Sequence, residues 1–383
     1  MPIYKVNGAK NKDGLQKYNV RVNYVSNIDG TPKQLTRTTY GYESAKDLER
    51  KLLNEIKTLG GNSVRKITIQ QLFDEYINAM KYELRETSLD KNERNYYLYV
   101  EKTMGNVMLH KITVSLLQNW KLSVEEKKLA LKTRQHAYSI FRSVLNYAVK
   151  MEYLPTNPLL RVGNFKEALS LKPDMKIYNA QEFTLYINTA KQLAEEHEEK
   201  HHNLSYWDFY VFFNIAFYTG LRKGEIYALK WSDINGAFLS VKRSVTQKLK
   251  GGDRETAPKN KSSIRTLQLP LPLILVLEEH KKRQEKMEHF SDDYRICGGV
   301  RPIRDSTVNN RNKLFAEHAG LDRIRIHDFR HSHVSILANE RINIQEIARR
   351  LGHSKIEETW NTYSHMYPRE EERAVDVLNG IAA

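Results

Sequence analysis

Arg325-Ile326-His327-Asp328-Phe329-Arg330-His331-Ser332-His333, then Leu351-Gly352-His353-Ser354 and Thr362-Tyr363-Ser364-His365, gather cations and imidazoles and end in a phenol. On a helix His327 and Arg330, three apart, share a face and can address one target. Arg330 offers a planar, permanently charged fork that matches two oxygens of a phosphate. His327 and His353 can donate a hydrogen bond or a proton near neutral pH. Tyr363 is a candidate oxygen nucleophile, because a phenol can form covalent intermediates where neighbouring groups stabilise its charge. Such a set suits a reaction at phosphorus with no metal. Zinc held by His327 and His353 is the rival reading. It lacks a third ligand, since Asp328 and Glu340 do not fall at metal-ligand spacing and Cys297 stands alone.

The 383 residues allow two or three domains, each able to bury its own core. A formal charge of +15 calls for a polyanionic partner, nucleic acid or membrane surface. No apolar run approaches the roughly 18 residues of a membrane span. The longest, 210–218 and 271–277, have the length of buried helices. The N-terminus lacks a signal-peptide pattern and Cys297 is the one cysteine, so a reduced, cytoplasmic protein is expected.

Residues 1–62 read as a three-stranded sheet and a helix. Tyr18, Val20, Val22 and Tyr24 alternate with Asn19, Arg21 and Asn23, the period of a half-buried strand. Ser26-Asn27-Ile28-Asp29-Gly30 is a hairpin connection and 34–40 the return strand. Leu48, Leu52, Ile56 and Leu59 mark one helix face, ended by Gly60-Gly61. Residues 1–66 hold thirteen basic and six acidic side chains. A basic exposed sheet face carrying Arg21, Lys33 and Arg37 is expected to lie in a DNA groove. Residues 66–162 read as a four-helix bundle, with Thr68 and Thr87 as caps of the first two helices, a third around 116–120 and a fourth over 131–150. Asn157-Pro158 and Gly163 mark its end. Lys127, Lys128, Lys132, Arg134 and Arg142 are expected to be exposed as a phosphate-facing edge, although such charge runs are ordinarily solvated faces. Residues 175–383 read as a larger, mostly helical α+β domain. Helices are expected at 181–197, 207–218, from Pro270, and at 306–319, 327–340, 344–351 and 359–366. Strands at 238–241 and 264–269 flank a basic, Gly-rich loop, 248–263.

Thr219-Gly-Leu-Arg222-Lys-Gly-Glu225-Ile226 places a glycine turn after a buried helix and an arginine at the start of the next, aiming Arg222 into a cleft. Arg222, a hairpin lysine, His327-x-x-Arg330, Leu-Gly-His353 and Tyr363 come in the order and spacing of the tyrosine recombinases, the phage-integrase family. The wording TGLRKGEI, PKNKSSIRTLQLP, HDFRHSHVS, LGHS and TYSHMYP resembles that family too. The resemblance is tight over 215–367 and looser before. It implies an arm-type DNA-binding domain (1–62), a SAM-like helical core-site domain (66–162) and a catalytic domain (175–383).

The resemblance also implies the roles. Tyr363 attacks the scissile phosphate and leaves a 3′-phosphotyrosyl link, while Arg222 and Arg330 clamp the non-bridging oxygens. His327 and His353 assist at the phosphoryl centre. The general acid is Lys259 or Lys261; the family's preference for the first lysine of a Lys-x-Lys-Ser pair favours Lys259. Glu225 matches a supporting carboxylate. No cofactor or metal is implied. The implied partners are double-stranded DNA at core and arm sites, other protomers of a tetrameric synaptic complex, and an excisionase or host DNA-bending protein, at the nucleoid of a bacterial host. His331, His333 and His365 fall outside the motif positions and read as packing or DNA-contact residues. The apolar tail 373–383 reads as a segment docking on a neighbouring protomer.

A tyrosine in a helix is ordinarily packing; Tyr363 is set apart by its spacing from His353 and its TYSH context. Two other functions use the same fold. A type IB topoisomerase-like relaxing enzyme shares the chemistry but needs no arm-like unit. A catalytically silent DNA-binding regulator needs no nucleophile.

Overall fold

The computed structural model describes residues 3–25, 32–59, 66–167, 175–247, 249, 252–256, 261–366, 375 and 378–379. At the N-terminus the period-two alternation builds an antiparallel sheet in the order β1 (Ile3–Lys10), β2 (Gln16–Val25), β3 (Pro32–Tyr40). Val20 and Val22 point to one face, where Ala45 and Leu52 of α1 (Tyr42–Leu59) cover them. The expected connection at 26–30 lies outside the described residues.

The register corrects the expected basic face. Arg37 is paired with Val20 and Lys33 with Tyr24, so both share the side that α1 covers, and Arg37 reaches Glu55 of α1 at 3.7 Å. Arg21, paired with Thr36, is on the opposite side, its guanidinium 5.3 Å from the ring centre of Tyr4. That open side also carries Lys17, paired with Tyr40, among the amide and hydroxyl side chains of Asn19, Asn23, Gln34, Thr36 and Thr38. Directly opposed residues share a face. Three cations drawn from two strands therefore cannot be assigned to one face without the register.

Thr68 caps α2 (Ile69–Met80) in a capping box with Gln71. Thr87 is no cap. It lies inside α3 (Glu86–Tyr96), which Arg85 precedes in extended backbone. A π turn at Tyr97–Glu101 and α4 (Lys102–Met104) carry that helix to Gly105. Thr113 caps α5 (Val114–Glu125); α6 (Leu131–Lys150) and the single turn α7 (Leu159–Val162) follow. Leu72, Phe73, Tyr96, Trp120, Phe141 and Leu145 form the core, with Phe73 and Tyr96 stacked at 3.6 Å. Phe165 packs edge-on to Trp120, so the bundle continues past the expected end at 162. Lys127, Lys128, Lys132 and Arg142 are exposed. Arg134 is not: its side chain is 11% exposed, held between Glu125 and Glu167. The first turn of α6 lies under the returning segment, which converts an expected DNA-facing cation into an internal brace.

The chain divides into two compact units, residues 1–171 and 172–383. In the second, a capping box of Asn179 and Glu182 starts α8 (Ala180–His201). The almost wholly buried α9 (Ser205–Thr219) leads to α10 (Lys223–Ala228). β4 (Ile234–Asn235) and β5 (Phe238–Val241) begin a sheet. β6 (Ser244–Thr246), just ahead of the expected loop, pairs antiparallel with β7 (Arg254–Thr256), which lies within it. β8 (Arg265–Gln268) completes the sheet in the order β4-β5-β8. Then come α11 (Leu271–Gln284), α12 (Asp305–His318), α13 (Asp328–Asn339), α14 (Ile344–Leu351) and α15 (Ile356–Tyr363), the last ending in a 3-10 turn at Ser364–Met366. Phe213, Phe315, Phe329 and Tyr186 join α8, α9, α12 and α13 in one apolar core. Cys297 is buried in it. Among the described residues no helix is long and apolar enough to cross a membrane.

Candidate active site

Gly220 ends α9 with φ +64°, and a Cβ there would stand 2.7 Å from the His333 ring. Glycine alone allows both the left-handed turn and the close approach. The turn delivers Arg222 to the start of α10. There the Glu225 carboxylate accepts from the Arg222 backbone N–H and from its Nη1, both at 3.0 Å. Arg265, projecting from β8, donates Nη2 at 2.9 Å to the Glu225 oxygen that also takes the Arg222 backbone N–H, and Nε to the Arg350 carbonyl at 2.7 Å. Glu225 and Arg265 are each 5% exposed, whereas Arg222 is 40% exposed. Burial alone would raise the Glu225 pKa. Arg265, then Arg222, reverse that and hold it below the usual carboxylate range.

Glu225 thus contributes stability that is complete above its unfolded pKa and lost as pH falls through the lower folded one. Replacing it leaves Arg265 buried without a counter-charge. Glu225→Gln should lower stability at pH 7 by about 3–5 kcal/mol. It should also flatten the decline in stability on acidification. Urea titrations at pH 7 and pH 4 check both; parallel losses at the two pH values would contradict the ion-pair account.

Arg330 is 2% exposed and ties two turns together. Its Nη1 donates to the Gly220 carbonyl at 2.7 Å, and its Nη2 to the Leu351 carbonyl at 3.0 Å and to His353 Nε2 at 2.7 Å. Burial, then the charge of Arg222, draws its pKa down to about 10, so it stays charged at neutral pH. Gly352 (φ +66°) turns the chain after α14 where a Cβ would lie 2.8 Å from Arg265 Nη1. The turn presents His353, which accepts from Arg330 at Nε2 and so carries its proton on Nδ1, facing Thr359 Oγ1 at 2.7 Å. Burial and the neighbouring guanidiniums lower its pKa to about 4.

Tyr363, at the end of α15, packs with Val334, Ile347 and Leu351 and is 2% exposed. Burial raises its pKa; the nearby charges of Arg330 and Arg222 oppose the rise. The hydroxyl lies 2.8 Å from His331 Nδ1. His331, expected as a packing or DNA-contact residue, is buried against this hydroxyl. His327 is the cap residue before α13 and is exposed, its ring edge-on to that of His331 at 4.8 Å. Although the residue as a whole is exposed, partial desolvation of its ring against the neighbouring side chains, then the charge of Arg330, lower its pKa. His333 hydrogen-bonds the Phe217 carbonyl at 2.8 Å, a packing position. Lys259 lies outside the described residues, as do the side chains of Lys261 and His365 and most of the tail 373–383.

The structure therefore brings together Arg222, Glu225, Arg330, His353 and Tyr363 from segments scattered over the second unit, and adds Arg265 and His331. Three guanidiniums face one carboxylate, an excess of fixed positive charge fitted to an anion. Among the described residues no three His, Cys, Asp or Glu side chains gather in the manner of a metal site.

Two family descriptions match the chain, the Phage integrase family over residues 184–370 and the Phage integrase SAM-like domain over 68–166. The ICEBs1 integrase of Bacillus subtilis is 28% identical, the match covering 88% of this chain and 90% of that protein. Among solved structures, the Tn1549 transposon integrase in complex with a circular intermediate DNA superposes with a TM-score of 0.64 at 18% identity, over 83% of this chain and 100% of that one. A lambda integrase tetramer bound to a Holliday junction superposes with a TM-score of 0.55 at 16% identity, over 96% and 95% of the two chains.

Proposed function

We propose that this chain, which belongs to the phage integrase family, is a site-specific tyrosine recombinase that integrates and excises a mobile element. The single observation that carries the reading is the placing of the buried Tyr363 hydroxyl beside Arg330 and His331, in a site where Arg222, Arg265 and Arg330 outnumber Glu225. A scissile phosphate in that site would be clamped by Arg222 and Arg330 as negative charge grows on its oxygens. Tyr363 attacks phosphorus, a 3′-phosphotyrosyl bond forms, and the 5′-oxygen leaves with a proton from Lys259 or Lys261. His353, locked between Arg330 and Thr359, keeps the guanidinium fork oriented, and His327 stands at the open side to meet the phosphate. The bond energy stays in the phosphotyrosine, so a 5′-hydroxyl of another strand reverses the step without ATP. The arginines supply the positive charge that a divalent ion would otherwise bring.

The same reading assigns residues 1–62 to arm-type sites and 66–162 to core-type sites. Arg21, Lys132 and Arg142 are kept as DNA contacts. Lys33 and Arg37 could serve only from the edge of the sheet. Strand exchange requires other protomers in a tetramer, and an excisionase or host DNA-bending protein sets direction.

A nicked core-site duplex, taken from the junctions of the host element and incubated in EDTA, tests the proposal. The expected product is a covalent protein–DNA adduct at the 3′-phosphate with a free 5′-hydroxyl on the released strand. Tight binding with no adduct would leave a DNA-binding regulator as the better reading.

A further inference from the structure

We propose that His331, outside the residues the family resemblance assigns to catalysis, is the base that takes the proton of Tyr363 as it attacks phosphorus. The proposal rests on the reading of Tyr363 as nucleophile. Its geometry is that of an activated hydroxyl: nucleophile and base in hydrogen-bond contact, with a third group orienting the base. Tyr363 Oη lies 2.8 Å from His331 Nδ1, and both side chains are buried. In the tautomer with its proton on Nε2, Nδ1 accepts from the phenol, which carries its proton at neutral pH. Nε2 then faces the buried Asp328 carboxylate at 4.0 Å.

Asp328 is itself fixed, taking Arg325 Nε and Nη2 and the Arg325 backbone N–H at 2.9–3.2 Å. A proton arriving at Nδ1 would make an imidazolium beside a stationary carboxylate. The other imidazoles are worse placed. Both nitrogens of His353 are engaged, by Arg330 and Thr359. His333 is turned to the Phe217 carbonyl, and the ring contact of His327 is with His331. Burial, with His327 next to it, draws the His331 pKa to about 4, so the ring is neutral and free to accept.

The step balances. The Oη–P bond forms, the P–O5′ bond breaks, the phenolic proton passes to His331 Nδ1, and the hairpin lysine protonates the 5′-oxygen. On resealing, the departing phenolate recovers its proton from His331, while the attacking 5′-hydroxyl returns one to the lysine.

The test uses the full chain on the nicked duplex, with His331→Ala and His331→Asn. Asparagine Oδ1 falls near the position of Nδ1 and can accept from Tyr363, but it does not take up a proton. Both variants should bind the duplex like the parent and form adduct roughly 10²–10⁴-fold more slowly. A 5′-bridging phosphorothiolate substrate, whose leaving group needs no proton, should leave that deficit in place. Parental rates in the Asn variant would overturn the proposal, since a hydrogen bond alone would then suffice. Recovery on the phosphorothiolate would overturn it too, by placing His331 on the leaving-group side. Loss of folding or of binding in both variants would make His331 structural and overturn it as well. Failure of the parent protein to form any adduct is a separate result, which rejects the nucleophile instead.

Discussion

Tyr363→Phe is expected to bind the core-site duplex with parental affinity and to form no adduct above background. The change removes one oxygen and nothing else. The ring keeps its place among Val334, Ile347 and Leu351, so no cavity opens. What is lost is the hydrogen bond to His331 and the group near Arg330. Leaving His331 Nδ1 buried and unpaired should cost about 1–3 kcal/mol of stability, which a thermal melt would register as a modest shift. Chemistry is affected without such limits, because phenylalanine has no nucleophilic atom. Denaturing electrophoresis of the adduct and anisotropy of a labelled duplex separate the two effects. An adduct persisting in the Phe variant would mean that another tyrosine is the nucleophile.

Local patterning carried much of the fold into the sequence. The alternation of Tyr18 to Tyr24 is β2, the apolar spacing of residues 131–150 is α6, and Thr68 caps α2. Failures came where a local signal had competitors or was too short. Thr87 looked like a cap, but Arg85 already occupies the extended position and Glu86 begins the helix. β6 and β7 are three residues each, with Thr246, Arg254, Glu255 and Thr256 polar and none of the four buried, so no alternation distinguishes them from a loop.

Faces set by partners were not legible either. Lys33, Arg37 and Arg134 read as free cations until register and the returning segment decide what opposes them. The same distinction divides the site. The order and spacing of the arginines and histidines are written in the chain. The contact of His331 with Tyr363 depends on how α15 folds back onto α13, and nothing local encodes that. The Arg265–Glu225 pair likewise joins residues 40 positions apart. His327, the residue before the first turn of α13, keeps helical backbone, and its ring lies edge-on against His331 one turn further on.

Arg330→Ala should lose at least 10²-fold in adduct formation and also lose stability, because this residue serves the transition state and the fold together. Removing one preorganised donor from an accumulating oxyanion costs on the order of 3–4 kcal/mol of barrier. In the resting protein the same guanidinium satisfies the Gly220 and Leu351 carbonyls and His353 Nε2. Each group left dry and unpaired would cost about 1–3 kcal/mol, less wherever water enters the vacated space. Two effects run the other way. Deletion relieves the burial of a charge whose pKa is already drawn to about 10, and it removes repulsion with Arg222.

Three lost hydrogen bonds outweigh that relief, so the melting temperature should fall. Arg330→Lys separates the roles: an ammonium restores the charge but cannot span three acceptors in the plane of a fork. It should recover part of the stability while remaining far below the parental rate. A methylphosphonate at the scissile position, lacking the negative oxygen that Arg330 would meet, should narrow the gap between the Ala variant and the parent. An unchanged gap on that neutral substrate would show that Arg330 acts only as a brace, with Arg222 and Arg265 left to hold the phosphate.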